Sequence, residues 1–542
     1  MPKVCFLILL AVTTITAGEA PTGPDTTLPT GLVMPHAFSS HMVLQRDLAV
    51  PIWGMAVPGE QVTVTFAGQS RSTTTATTGR WLLRLDPMPA SAESRSLVIR
   101  TAATSITMED VLVGDVWIGS GQSNMKWMVS ESIRKNQQWK PGAQTYPLIR
   151  YRDSRPGPAW FKDPKERDLS EAQRTLPQSG AWYGFGGTTW TLVTPETIPS
   201  MSFIMFSFGL RLHEELKVPI GLGSCAVPGS GAGGWMTNGM IEAYPALPTL
   251  METHQQHIVR LQAAWDAKAA DAVAKGLPKL NVKSRPRLPG RPSADGRLYR
   301  GLMEQWTDYG IRGVVWDQGE SGATHGLDLA QAMAVLMHGW RARWNQGDFP
   351  FIINQKPSGG GCAWDPKDPI TCGADAFAPL PATVPDDGGE VETYLRIMNL
   401  PKVTMALSSD LGGGVHPGNK FGYGQRAAHA ALATVYGKSL EYYGPVYASH
   451  AIEGASIRIR FTHVGKGLTP KHSDKIQGFP VAGADRIYHW AEARIDGDGV
   501  VVSSSQVAAP QTVRYAWSMT RPWANMFNAD GLPAVPFRTD EF

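Results

Sequence analysis

Five short apolar runs recur through the middle of the chain: Val116 to Ile118, Val218 to Leu222, Gly313 to Trp316, Phe349 to Asn354 and Val403 to Leu407. Helix-like stretches separate them, among them Phe206 to Leu216, Leu327 to Trp344 and Lys420 to Tyr436. Strand alternating with helix restricts this region to an α/β fold built on a parallel sheet. Two inserts interrupt the alternation, about 131–199 and 251–295. The first is loop-rich and carries Trp139, Trp160, Trp182 and Trp190. From Met42 to about Val113 the pattern changes to short alternating runs broken by turns at Pro58-Gly59, Gly68 and Gly79, which predicts a small β-sandwich. The last hundred residues repeat that style, with Ile457 to Phe461 and Gly499 to Val502 as strands. The expected organisation is an N-terminal β-sandwich domain over 31–112, an α/β domain over 113–440 and a β-rich region over 441–542. No tandem repeat is evident.

The first twenty residues have a lysine at position 3, an apolar run from Val4 to Val12 and small residues at Ala17 and Ala20. That is the layout of a cleavable signal peptide over 1–20, so a secreted or periplasmic protein starting near Pro21 is expected. The run is shorter than the roughly 20 residues a membrane span needs, and no membrane span is expected elsewhere. With 50 basic and 47 acidic residues and no long charge run, no nucleic-acid partner is expected either. Of the four cysteines, Cys5 leaves with the signal. Cys362 and Cys372 flank a Pro/Gly/Asp-rich loop and are expected to form a disulfide, as exported proteins can, and Cys225 is expected to be a buried thiol.

Four constellations lie at the ends of apolar strands, where open α/β sheets form their sites. Asp115-Val-Trp-Ile-Gly-Ser-Gly-Gln-Ser123-Asn124-Met125 presents a serine at a strand end. Asp410-Leu-Gly-Gly-Gly-Val-His416-Pro417 places a histidine in a glycine-rich loop ahead of a helix. Each alone reads as an ordinary turn. Together they suggest a nucleophile and its general base, because a serine hydroxyl is a weak nucleophile until a base takes its proton. In Trp316-Asp317-Gln318-Gly319-Glu320-Ser321 a side-chain amide can donate to an oxyanion and a carboxylate can orient neighbours. In Gly223 to Trp235 the glycine N–H groups, Gly229 included, suit an oxyanion hole or a tight turn.

These motifs give the chain a family likeness. It resembles the sialate O-acetylesterases, within the SGNH hydrolases, over nearly its whole mature length. The likeness is carried by Met42-Val-Leu-Gln45, Trp53-Gly54, Pro58-Gly-Glu60 and Val113-Gly-Asp-Val-Trp117 running into Ser120-Gly-Gln-Ser-Asn-Met125. It continues through Pro219-Ile-Gly-Leu222, Trp316-x-Gln-Gly-Glu-Ser321, His416-Pro-x-Asn-Lys420, Gly424-x-Arg426, Val513-Arg-Tyr-Ala-Trp517, Gly531-Leu-Pro533 and Pro536-Phe-Arg538. The resemblance implies a three-layer SGNH (flavodoxin-like) domain with accessory β regions. It also implies hydrolysis of acetyl esters on sugars through an acetyl-enzyme, with no metal and no cofactor. Carried over residue by residue, Ser123 is the nucleophile and His416 the general base. The Ser123 and Gly229 N–H groups and the Gln318 side chain form the oxyanion hole, and Asn124 and Trp235 are substrate-binding.

The chain departs from the family in three places. An aspartate commonly stands three residues before the histidine, whereas Gly413 stands there and the nearest acid is Asp410. Three readings stay open: Asp410 as catalytic acid, a dyad whose histidine leans on a backbone carbonyl, or a distant acid such as Glu320 in a supporting role. Gly322 replaces a common asparagine, and Pro228-Gly229-Ser230 replaces a Gly-Gly-Thr block. The expected partner is an O-acetylated carbohydrate, either a sialate or a polysaccharide of the xylan or xyloglucan type. The insert tryptophans are candidates to contact it. The rate is expected to fall as His416 is protonated below about pH 6 to 7. The rival reading is a carbohydrate-binding protein that keeps the fold without activity.

Overall fold

The computed structural model describes residues 30–134, 142–154, 189–274, 276, 282, 285, 292–318, 324–355, 365, 367–371, 376–408 and 410–540. The N-terminal part contributes β1 (Val43–Gln45), β2 (Val50–Met55), β3 (Gln61–Phe66), β4 (Gln69–Thr74), β5 (Arg80–Leu85) and β6 (Ser91–Arg100). Next comes β7 (Ser105–Gly121), a single strand of 17 residues. Its first half pairs antiparallel with β6, and its second half lies at the centre of the parallel sheet. The expected boundary at 112–113 therefore falls inside a continuous strand.

The central sheet continues with β8 (Tyr146–Asp153), β9 (Thr191–Val193), β10 (Ile220–Ala226), β11 (Gly313–Asp317), β12 (Phe351–Asn354) and β13 (Val403–Ala406), in spatial order β13-β12-β11-β7-β10-β8-β9. All neighbours are parallel except β8 and β9. The five strands anticipated from apolar runs form the order 2-1-3-4-5. The first insert, which the sequence marked as loop-rich, adds β8 and β9 beyond β10. The connections after β7 run to both sides of it, so its carboxyl end lies at the point where the winding direction reverses, the place where such sheets form crevices.

The sheet is buried on both faces because successive side chains point to opposite sides. Ile118, Val314, Trp316 and Ile353 enter one core together with Val335, Leu336 and Trp340 of a helix spanning Leu329–Trp344. Trp117, Val315 and Ile352 enter the other, with Phe206 and Phe208 of a helix spanning Phe203–Leu216 and Ala427 and Ala431 of one spanning Lys420–Thr434. Small residues let those last two helices pack closely: a Cβ at Gly424 would stand 2.3 Å from the carbonyl oxygen of Ile204. The helix at Leu329 starts where it does because Asp328 caps it and Gln331 closes a capping box. The second insert opens on a 28-residue helix, Leu247–Ala274, which the strand and helix patterns did not bring out.

The N-terminal core is not separate. Trp53, Trp81, Val62, Val64, Leu97 and Ile99 belong to the same hydrophobic cluster as Trp306 and Trp316 of the α/β part. Asp115, fully buried in β7, ties the two together by accepting hydrogen bonds from Gln45, Arg46 and Arg312. Burial opposes its charge, but the Arg46 hydrogen bonds, the two guanidinium charges and Gln45 hold its carboxyl below the ordinary carboxylate value. The C-terminal residues form a four-stranded antiparallel sheet (Val446–Glu453, Ser456–Thr462, Gly499–Ser503, Glu492–Asp496) and shorter sheets around a third core. This region docks through Arg514 on Asp386 at 2.7 Å and Arg538 on Glu392 at 2.6 Å. Among the described residues no helix is long and apolar enough to cross a membrane.

Candidate active site

At the carboxyl end of β7, Gly121 has a φ of 121°, and a Cβ there would lie 2.0 Å from the Asp317 carbonyl oxygen. Only glycine meets both demands. The backbone closes further as Gln122 N donates to that same carbonyl at 3.0 Å. A one-turn helix, Ser123–Lys126, follows at once; we call it α1. Ser123 is thus the first helical residue beside the central strand, and its N–H has no acceptor within the helix.

His416 comes from the loop between β13 and the helix that begins at Lys420, 293 residues away in sequence. Its Nε2 stands 2.8 Å from Ser123 Oγ. Two further contacts join these segments. Asn124 Nδ2 donates to the Val415 carbonyl at 3.2 Å, and Lys420 Nζ donates to Asn124 Oδ1 at 2.6 Å. Trp127, which caps α1, stacks on the His416 ring with centroids 5.1 Å apart and planes 30° apart. On its other flank α1 is held by Lys126, whose ammonium lies 2.8 Å from both carboxylate oxygens of Asp153 at the end of β8.

A second loop approaches from the end of β10. Val227 N donates to the Gly121 carbonyl at 3.1 Å, so the loop is anchored at the strand end that presents the serine. Gly229 is exposed within it and donates no hydrogen bond among the described residues. Trp235 Nε1 donates to Ser230 Oγ at 3.1 Å, and Gln318 Nε2 donates to the Ser230 carbonyl at 3.0 Å. Tyr394 in turn donates to the Gln318 carbonyl at 2.5 Å.

Three expectations need correction. Asp410 does not reach the histidine: its carboxylate is fully buried and accepts from Arg426, at 2.8 Å from Nη2 and 3.5 Å from Nη1. A carboxylate buried beside a guanidinium takes the stronger, charge-assisted partner. Asn124 is fully buried and joins the base loop to α1, so it is not open to a substrate. Trp235 is fully buried, packed edge-to-face on Trp316, and offers no ring face to a sugar. Gln318 is buried and its amide nitrogen donates to the Ser230 carbonyl, which ties this oxyanion-hole candidate to the Gly229 loop. Trp190 is likewise core, with its Nε1 donating to the Ala37 carbonyl. Glu320, Cys362, Cys372, Trp139, Trp160 and Trp182 lie outside the described residues.

Residue reading missed Trp127, Lys420 and Arg426 as parts of the site. The signal was present as spacing: Ser123 and Trp127 are four apart at a helix start, and so are His416 and Lys420. Beneath the loops, Cys225 is a buried free thiol that burial pushes up to about 11. Beside it Arg152, wholly buried against the Trp306 ring at 4.8 Å, is pushed down by burial to about 10.

No protein-family model matches the chain. It is 25% identical over 541 residues to the sialate O-acetylesterase of Mus musculus, covering 92% of this chain and 93% of that protein. The human sialate O-acetylesterase is also 25% identical, over 92% of this chain and 91% of its own. Among solved structures, a carbohydrate acetylesterase from Xanthomonas citri superposes with a TM-score of 0.69 at 25% identity, over 94% of this chain and 100% of that one. With a serine and a histidine meeting at the carboxyl end of a parallel sheet, these likenesses define the class: the protein is a carboxylic ester hydrolase. Over nearly its whole length it is similar to the sialate O-acetylesterases.

Proposed function

We propose that this chain is an exported carbohydrate O-acetylesterase working by a serine nucleophile and an acetyl-enzyme. The observation that carries the reading is the 2.8 Å contact between His416 Nε2 and Ser123 Oγ. In the proposed cycle His416 takes the Ser123 proton as Oγ attacks the acetyl carbonyl. The tetrahedral intermediate collapses, the C–O bond to the sugar breaks, and His416 delivers the proton to the departing sugar oxygen. Water then gives a proton to His416 and attacks the acetyl-enzyme. Acetate leaves as Ser123 regains its proton. The N–H groups of Ser123 and Gly229 hold the negative oxygen in both intermediates, each donor being worth about 3 kcal/mol of the barrier.

The catalytic architecture in this reading is the three-layer SGNH sandwich over 113–440, with accessory β regions at 31–112 and 441–542 and a signal peptide at 1–20. Two similar proteins are named sialate O-acetylesterases and a third a carbohydrate acetylesterase, so the substrate is an acetylated sialate or an acetylated polysaccharide. The length of the insert at 131–199 favours a polymer.

The test is acetate release from an O-acetylated sialoside, acetyl-xylan, acetyl-xyloglucan and an aryl acetate, with Ser123→Ala alongside. Release that disappears in Ser123→Ala is expected, and the preferred substrate identifies the sugar. Equal release by both proteins, or none from any substrate, overturns the proposal.

A further inference from the structure

A serine esterase needs more of its histidine than proximity. The imidazole must keep one plane while its Nε2 accepts the serine proton and later hands it to the leaving oxygen. The loop that carries His416 passes through Gly412, Gly413 and Gly414, residues that impose little on a backbone. Asp410, at the start of that loop, is engaged by Arg426. Contacts from outside the loop reach the ring.

Two of these contacts come from α1 and the residue that caps it. Ser123 Oγ meets Nε2 at 2.8 Å, and Trp127, four residues on, lies stacked against the ring at 5.1 Å and 30°. Ser123 opens α1 and Trp127 caps its end, so one short segment offers both the proton and the flat surface. The arrangement is reciprocal. Four residues after His416, Lys420 is fully buried with its Nζ 5.7 Å from the centre of the Trp127 ring and 2.6 Å from Asn124 Oδ1. Asn124 completes the closure through the Val415 carbonyl next to the histidine.

We propose that Trp127 is a positioning residue that fixes the plane of the His416 imidazole, and that Lys420 and Asn124 hold the tryptophan and the base loop in register with α1. The stacked indole also stabilises the imidazolium formed in each half-reaction, because a cation is favoured over an aromatic face. This inference rests on the serine–histidine reading above. A flat ring is the essential property, so phenylalanine substitutes for tryptophan and leucine does not.

The experiment measures kcat, KM, thermal midpoint and the rate of fluorophosphonate labelling of Ser123 in the full chain, for Trp127→Ala, Trp127→Leu and Trp127→Phe, using an aryl acetate. A loss of geometry of this kind costs about ten- to a hundredfold in kcat. Trp127→Ala and Trp127→Leu are expected to show that loss with KM unchanged and labelling slowed in proportion, while Trp127→Phe stays close to native. If Trp127→Ala does not fold, the leucine and phenylalanine variants decide alone. Native kcat in Trp127→Leu, or a Trp127→Phe variant as slow as Trp127→Leu, overturns the clamp. Full activity in Ser123→Ala instead overturns the parent reading, so the two failures are distinguishable.

Discussion

Replacing Asp410 by asparagine separates a catalytic acid from a structural one. In the structure the carboxylate is fully buried, and Arg426, itself only 8% exposed, donates to both of its oxygens. The amide keeps the shape but removes the charge that faces the guanidinium. Removing one partner of a buried ion pair costs about 3–5 kcal/mol. At about 2.1 cal/mol/K per residue, the 542-residue chain has an unfolding entropy of about 1.1 kcal/mol/K, so the melting midpoint should fall by about 3–5 °C. Catalysis should change little, within about tenfold, since the effect reaches His416 only through the loop. If Asp410 instead oriented the imidazole, asparagine would favour the wrong tautomer and kcat would fall by about 10⁴ with the fold intact. The assay is kcat on an aryl acetate together with a thermal melt. A large loss of kcat at an unchanged midpoint would refute the reasoning.

Two other outcomes follow from buried groups. Asp115 is fully buried and its carboxyl is held below the ordinary value, so its contribution is present above the unfolded carboxylate pKa and is lost as pH falls through the folded one. Native protein should therefore lose midpoint more steeply than Asp115→Asn as pH drops below about 4, the usual carboxylate range; parallel pH–midpoint curves would contradict this. Cys225 is buried and its thiol is pushed up to about 11, so iodoacetamide at pH 8 should leave it unmodified in the folded protein and label it after denaturation, as read by peptide mapping.

The parallel strands were legible because the second half of β7 and β10, β11, β12 and β13 are buried on both faces and therefore read as short apolar runs. Ser123 and His416 were legible for a related reason. Each follows such a run in a stretch of small residues, and such strand ends are where sites form. β8 and β9 escaped notice because β8 carries the buried charged residues Arg150, Arg152 and Asp153 and so does not read as an apolar run, and β9 is only three residues long. Trp235 and Asn124 were assigned to substrate on residue type and family likeness. Their burial depends on which helices and strands cover them, and no local pattern encodes that.

The sequence by itself determined the strand and helix alternation, the glycine at the end of β7 and the two motifs whose side chains meet, since these depend on local spacing and steric demand. Only the tertiary structure decided which partner each polar group takes. Asp410 has a histidine six residues ahead and an arginine sixteen ahead in the chain, and it binds the arginine. Trp127 is an ordinary helix-end tryptophan until the sheet order brings a loop from 289 residues away onto its face. Side-chain partners are won by competition in space, where charge, burial and direction count and sequence separation does not.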